Sequence, residues 1–233
     1  MLARPFLSVS LALPALLAAP MSATSQSVVV DEGTFVMSLE GNPAGTERFT
    51  IRRAGLGDDA IVIANAVIHL DRGDGPTELR PLLEVAPMDE SSSNYQLKVS
   101  GAENAELSVR LAGRRYLSRI QTEAGDEERE FLARPGTRIL EEGVAHHYYF
   151  LRAVGEGSIT PVIEPRTRRA LQLVASAPVE EEIRVGPSRV RARKVTFSAA
   201  DDVRHVWFDS QGRVLRVEVP ARAYVAERQD LVG

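Results

Sequence analysis

Apolar and polar positions alternate with a period of two through most of the chain. Over residues 34–40 this places Phe35, Met37 and Leu39 on one face. After the turn-rich stretch 41–45 it resumes over 46–53 with Phe49 and Ile51. Such alternation makes a strand with one buried face, and two runs around a turn make a hairpin. Residues 59–70 form a longer β-branched run in which Asn65 and Ala66 predict a bulge or bend. The Gly- and Pro-containing stretch 72–76 is a turn. Short strands are predicted beyond it over 78–85, 95–100, 106–111, 116–122 and 130–133. They resume at 158–164, 170–174, 182–185, 189–197, 204–209 and 213–219, where Pro220 ends the last.

One segment departs from this rhythm. Val144, Tyr148 and Leu151 recur at spacings of four and three, which predicts a short helix over 144–154 with Gly155 as its left-handed stop. Residues 146–151 would also serve as a buried strand. There is no βαβ alternation, no fixed-period repeat and no linker. The predicted fold is all-β, a large curved antiparallel sheet forming an open or closed barrel with one short helix, in a single domain over 26–233.

Composition narrows the picture. A hydrophobic fraction of 44% over 233 residues is that of a globular chain. The absence of cysteine excludes disulfides, thiolate zinc sites and a cysteine nucleophile. A formal charge of −4 argues against a general nucleic-acid binder. The charge is uneven: residues 26–133 carry 19 acids against 11 bases, whereas 134–233 carry 13 against 16.

Residues 1–25 read as a secretory signal peptide. Arg4 precedes an apolar stretch from Phe6 to Ala19, and small residues follow at Ser22, Ala23, Thr24 and Ser25. The stretch is short for a membrane span and holds Pro14, although an uncleaved anchor is the alternative. The expected location is periplasmic or secreted, with no membrane span in the mature chain.

Motifs for chemistry are few. His146 and His147 are adjacent, so their side chains diverge, and no H-E-x-x-H is present; no metal and no cofactor are expected. No G-x-S-x-G appears, and Ser91, Ser92 and Ser93 read as a solvated loop. The acidic runs at 58–59, 127–128, 141–142, 180–182 and 201–202 lie in turn-like places and read as solvated. One tryptophan and 6% aromatics offer little to a glycan.

The remaining candidates are ligand-binding residues. Arg189, Arg191 and Arg193 share one face of a strand, suited either to an anionic ligand or to pairing with Glu180–Glu182 across the Gly186 turn. Trp207 shares a face with His205.

The order of features from Gly143 onward resembles a family of exported bacterial proteins known only as domains of unknown function. The stretch His147-Tyr148-Tyr149-Phe150-Leu151-Arg152 resembles its short helix, and 206–217, with Trp207, Asp209, Gly212 and Val217, its closing hairpin. Gly45, Glu47 and Ile51 fit its opening pattern. The resemblance implies a curved antiparallel sheet wrapped around a helix, distantly similar in shape to periplasmic lipoprotein-carrier folds. With the barrel open, it implies that Tyr149, Arg152 and Trp207 line the mouth between helix and sheet as ligand-binding residues, and it implies no activity and no catalytic residues. The function expected is therefore a non-catalytic binding or carrier module for an apolar or amphiphilic molecule, such as a lipid, or for a cell-envelope protein. The alternatives are a structural or interaction protein with a filled core and an envelope glycan hydrolase.

Overall fold

The computed structural model describes residues 27–57, 60–71, 73, 75–86, 88, 90–200 and 202–230. The leader read over 1–25 lies outside them, as do Asp58, Asp59 and Asp201. The chain forms one antiparallel meander, an internal segment and a second group of strands. The first meander holds β1 (Ser27–Leu39), β2 (Asn42–Ala54), β3 (Ile61–Asp71), β4 (Pro76–Val85), β5 (Ser92–Gly101), β6 (Ala105–Ala112), β7 (Arg115–Thr122) and β8 (Gly125–Leu132). The two-residue β9 (Arg138–Ile139) leads into a 3₁₀ helix, His146–Leu151. There follow β10 (Ile159–Glu164), β11 (Arg169–Ala175), β12 (Val179–Val185), β13 (Ser188–Ala199), β14 (Asp202–Phe208), β15 (Val214–Val219) and β16 (Tyr224–Arg228).

All sixteen strands belong to one sheet in the order β8-β7-β6-β5-β4-β3-β2-β1-β16-β15-β14-β13-β11-β10-β9, with β12 on the same edge of β13 as β11. The first and last strands pair, Phe35 opposite Arg228 through Leu39 opposite Tyr224, which joins the two groups. The sheet curls without closing: among the described residues no strand pairs the outer edge of β8. The all-β expectation of a curved antiparallel sheet stands, in its open form.

Several local expectations are corrected. The β1–β2 turn is Glu40–Gly41, both at positive φ (52° and 78°), and residues 42–45 already belong to β2. That φ pattern suits the twist of a tight hairpin. The irregularity lies inside the hairpin, where Met37 faces Gly45 and Ser38 faces Pro43, leaving Ala44 bulged. Gly45 has φ +152°, and a Cβ there would lie 2.0 Å from the His69 carbonyl oxygen. The bulge expected at Asn65 and Ala66 is absent: register is continuous, and the ladder to β4 merely skips the positions opposite Arg80 and Pro81. Pro81 has no N–H to donate there. The helix is confined to 146–151; Gly155 is not left-handed and Gly157 is (φ 71°). Two strands went unread, β9 and β16.

Residues 137–151 run through the interior, all buried except the half-buried Glu142. Val144, Ala145, Tyr148, Phe150 and Leu151 join Phe35, Ile51, Leu83, Val109, Phe197 and Val217 in one apolar cluster. Sheets of about eight strands are filled by side chains alone, whereas wider ones leave a channel. This sheet is wider, and the chain fills it with its own segment. Ser91, Ser92 and Ser93 are not the solvated loop expected. Ser92 Oγ accepts from Ile139 N–H (2.9 Å), Ser91 Oγ accepts from Gly136 N–H (2.9 Å), and Ser92 N–H donates to the Thr137 carbonyl (2.9 Å). The serines tie the start of the plug to β5.

The Gly45 contact yields a prediction. Gly45→Ala is expected to cost about 2 kcal/mol or more, because its methyl meets backbone rather than a yielding side chain. Urea unfolding of the two proteins measures it, with Gly41→Ala, where nothing lies within 4 Å, as the control.

Candidate functional site

The plug is gripped by one carboxylate. Glu47, on β2 and fully buried, accepts from Ala145 N–H (2.7 Å, Oε2) and His146 N–H (2.9 Å, Oε1), and its Oε1 lies 2.6 Å from His146 Nδ1. The first amides of a helix have no partner within it, and a carboxylate at that end answers both their hydrogen bonds and their dipole. A carboxylate only accepts, so His146 carries its proton on Nδ1. His147 is arranged the other way: its Nδ1 accepts from Glu141 N–H (3.2 Å), which places the proton on Nε2. The two rings meet edge to face at 4.7 Å, and His146 stacks on Phe49 at 5.6 Å.

Beside the helix lies Glu141, which had been read as solvated and is buried. Burial pushes its carboxyl up to about 7, opposed by Arg166, whose Nε donates to Oε1 at 3.1 Å. Burial, with His146 alongside, holds His147 well below the ordinary histidine range. Tyr95 packs edge-on to His147 at 5.4 Å. Four atoms of this group are buried without a hydrogen-bond partner among the described residues: Tyr95 Oη, Glu141 Oε2, His146 Nε2 and His147 Nε2. All four side chains are buried. Among the described residues no three His, Asp or Glu side chains converge for a metal.

Two charged clusters hold the plug, one against Tyr148 and one where Arg138 and Arg152, at the two ends of the run, meet Glu90. At the first, Arg204 Nε donates to Asp202 Oδ1 (2.7 Å) and Nη2 to Glu164 Oε1 (2.7 Å). Arg222 reaches Glu164 (2.9 Å), Arg169 reaches Asp202 (3.0 Å), and Arg204 Nη1 lies 3.4 Å from Tyr148 Oη. Burial pushes the Asp202 carboxyl up, and the hydrogen bond from Arg204 with the charges of Arg204, Arg169 and Arg222 outweighs it, leaving the carboxyl below its usual range. Asp202 thus corrects a second solvated reading.

The second cluster contains three of the residues singled out in the sequence. The Arg152 guanidinium lies 3.9 Å over the Tyr149 ring and pairs with Glu90 at 2.6 Å. Arg193 Nη2 donates to the Arg152 carbonyl (2.9 Å), and its guanidinium sits 5.2 Å over Phe208. Glu90 also meets Arg138 (3.4 Å), which donates from Nε to the Phe150 carbonyl (3.0 Å). Glu90 and Arg138 were missed because a loop acid and a lone arginine carry no pattern.

Trp207 is not at this mouth. Val206 and Phe208 face the main core, so Trp207 faces outward, packed with Val185, Ala192 and Leu215 in a separate cluster. Its Nε1 donates to Glu181 Oε2 (3.2 Å), and Lys194 and Arg216 lie over its ring at 4.8 and 5.1 Å. Arg189 and Arg191 are exposed and pair with Glu182 (3.2 Å) and Glu180 (3.0 Å). This is the acid-paired sheet face that the sequence offered as the alternative to a ligand grip.

No protein-family model matches the chain, and no curated protein matches it. Among solved structures, it is similar to the crystal structure of a β-barrel-like protein of domain of unknown function DUF1849 from Brucella abortus. The identity is 9%, the TM-score is 0.48, and the match covers 84% of this chain and 93% of that one.

Two substitutions test the plug. Glu47→Gln puts an amide N–H₂ among donors and is expected to cost about 2–4 kcal/mol in urea unfolding. Glu141 gives a pH dependence. Its folded pKa of about 7 lies above the ordinary 4.5, so the folded state takes the proton first. Its contribution to stability is full below 4.5 and lost as pH rises through 7. The loss is about 3 kcal/mol across that window. Glu141→Gln is expected to flatten the unfolding midpoint over the same range.

Proposed function

We propose that the chain is an exported, non-catalytic interaction module of the cell envelope that meets its partner from outside. The observation that carries this reading is the buried run 137–151, which occupies the space a carried molecule would need. The residues with acid–base character are enclosed within the same core, away from any substrate.

A second reading, an internal carrier for an amphiphile, has one observation in its favour. The plug leaves four buried polar atoms without partners, and each such atom weakens its seat. In that reading the plug withdraws and the apolar molecule replaces it.

Native mass spectrometry of the protein purified without detergent from its own cell separates the two. The interaction module is expected at the mass of the polypeptide alone. A one-to-one adduct with a lipid or other amphiphile, combined with raised hydrogen exchange at the amides of 144–151, would overturn it in favour of the carrier.

A further inference from the structure

The turns at the two ends of the first meander differ in surface. One end is formed by the start of β1, the β2–β3 and β4–β5 loops, the β6–β7 turn and the end of β8. There Leu56 is 86% exposed and Met88 85%, beside exposed Val28, Val29 and Val30. Leu111 and Leu132 continue the row. Among the described residues, the opposite end, with the β1–β2, β3–β4, β5–β6 and β7–β8 turns, has no exposed large apolar side chain. Single exposed apolar residues are ordinary, but a row along one rim is not.

Arginines flank the row. Arg53 and Arg52 lie directly opposite Val28 and Val29 in the β1–β2 ladder. Neither has a carboxylate partner among the described residues; Arg52 donates only to Asn65 Oδ1 (3.1 Å). Of the twelve other exposed arginines among the described residues, six pair with a carboxylate, as Arg80 does with Glu78 and Arg115 with Glu130. Leu56 and Met88 lie in loops beyond the strand ends, and Arg52 and Arg53 sit behind them, level with Val28 and Val29, an order that matches the layering of acyl chain and phosphate in a lipid leaflet.

We infer that this rim docks on a phospholipid bilayer, with Leu56, Met88 and the three valines at the acyl boundary and Arg52 and Arg53 on the phosphates. The inference rests on the reading that the partner is met from outside. A protein that docks in this way yet also carries an amphiphile inside would break that reading and leave the rim assignment standing.

The chain has no cysteine, so single labels report position without background. Leu56→Cys, Met88→Cys and, on the opposite end, Glu103→Cys are each labelled in the full chain with an environment-sensitive fluorophore. They are mixed with vesicles of phosphatidylglycerol and phosphatidylcholine, some carrying brominated acyl chains. The expected result is a blue shift and bromine quenching at positions 56 and 88 and neither at 103. Reversing both arginines, Arg52→Glu with Arg53→Glu, is expected to lower vesicle partition at least tenfold, taking about 1 kcal/mol per basic residue near an anionic surface. A thermal melt confirms that this exposed pair leaves the fold intact. Failure to bind vesicles would overturn the proposal. So would binding through the leader with all three labels unchanged, or with 56 and 103 quenched equally. Shifts at 56 and 88 that need an added envelope protein and not vesicles would assign the rim to a protein partner instead.

Discussion

The structure depends on the bond between Glu47 and the start of the 3₁₀ helix. A sheet this wide encloses more space than its inward side chains fill, so the chain threads residues 137–151 through it. Threading backbone through an apolar core strands N–H groups that no neighbouring strand reaches. Glu47 answers two of them, at Ala145 and His146, and the His146 ring as well. Burying a charge without partners would cost several kcal/mol, so carboxylate and plug each make the other tolerable. Gly45, two residues before Glu47, lets β3 approach β2 closely at this point.

The two charged clusters around the plug act on position more than on stability. Arg204, between Asp202, Glu164 and Tyr148, has desolvation to offset, as has Arg228, whose guanidinium takes Asp31 with two bonds (2.8 and 3.0 Å). Buried pairs of this kind often come out near zero against an apolar replacement, yet removing one member leaves a charge stranded. That penalty falls on wrong registers. The Arg228–Asp31 pair spans the junction of β1 and β16, where Phe35 faces Arg228, and a slip of one residue would send every side chain of β16 to the other face.

Much of this was legible in the alternation of the chain, and what was not has physical reasons. Leu107 and Val109 alternating with Glu106, Ser108 and Arg110 read directly as β6, because one face is dry and the other wet. β9 is two residues long and buried all round, so it has no alternation to read. β16 follows Pro220 and the left-handed Ala223, signals that end one strand without announcing the next. Glu141, Asp202 and the serines were taken for solvated because turn-like composition is shared by surface loops and by segments that cap a core with side-chain hydrogen bonds. Tyr149 and Arg152 lie together at the end of the 3₁₀ helix, in the one break in the meander, whereas Arg193, read with Arg189 and Arg191 as one strand face, joins them through the Arg152 carbonyl, a contact that alternation does not reveal. Trp207 was misplaced because the parity of a strand, and not its proximity in sequence, decides which face a residue takes. Glu47 and the helix stretch entered as separate pieces of one resemblance, and they are in contact.

The open edge completes the argument for a partner met from outside. Ala133 N–H donates to the Arg114 carbonyl, so the odd-numbered residues of β8 bond to β7, and Asp126, Glu128, Glu130 and Leu132 turn their N–H and C=O groups outward. An exposed edge of eight residues is a template for further pairing. Here three of the four outward positions are acidic. Any antiparallel pairing with a second copy that engages three or more of them sets carboxylate opposite carboxylate, at a spacing where like charges repel. Inward, Arg129 donates to the Arg168 carbonyl and Glu127 pairs with Arg168, so side chains rather than backbone close the gap toward β11. The sheet therefore stays open without inviting its own kind, and exposed apolar side chains reach this edge only at Leu132, where the edge meets the rim.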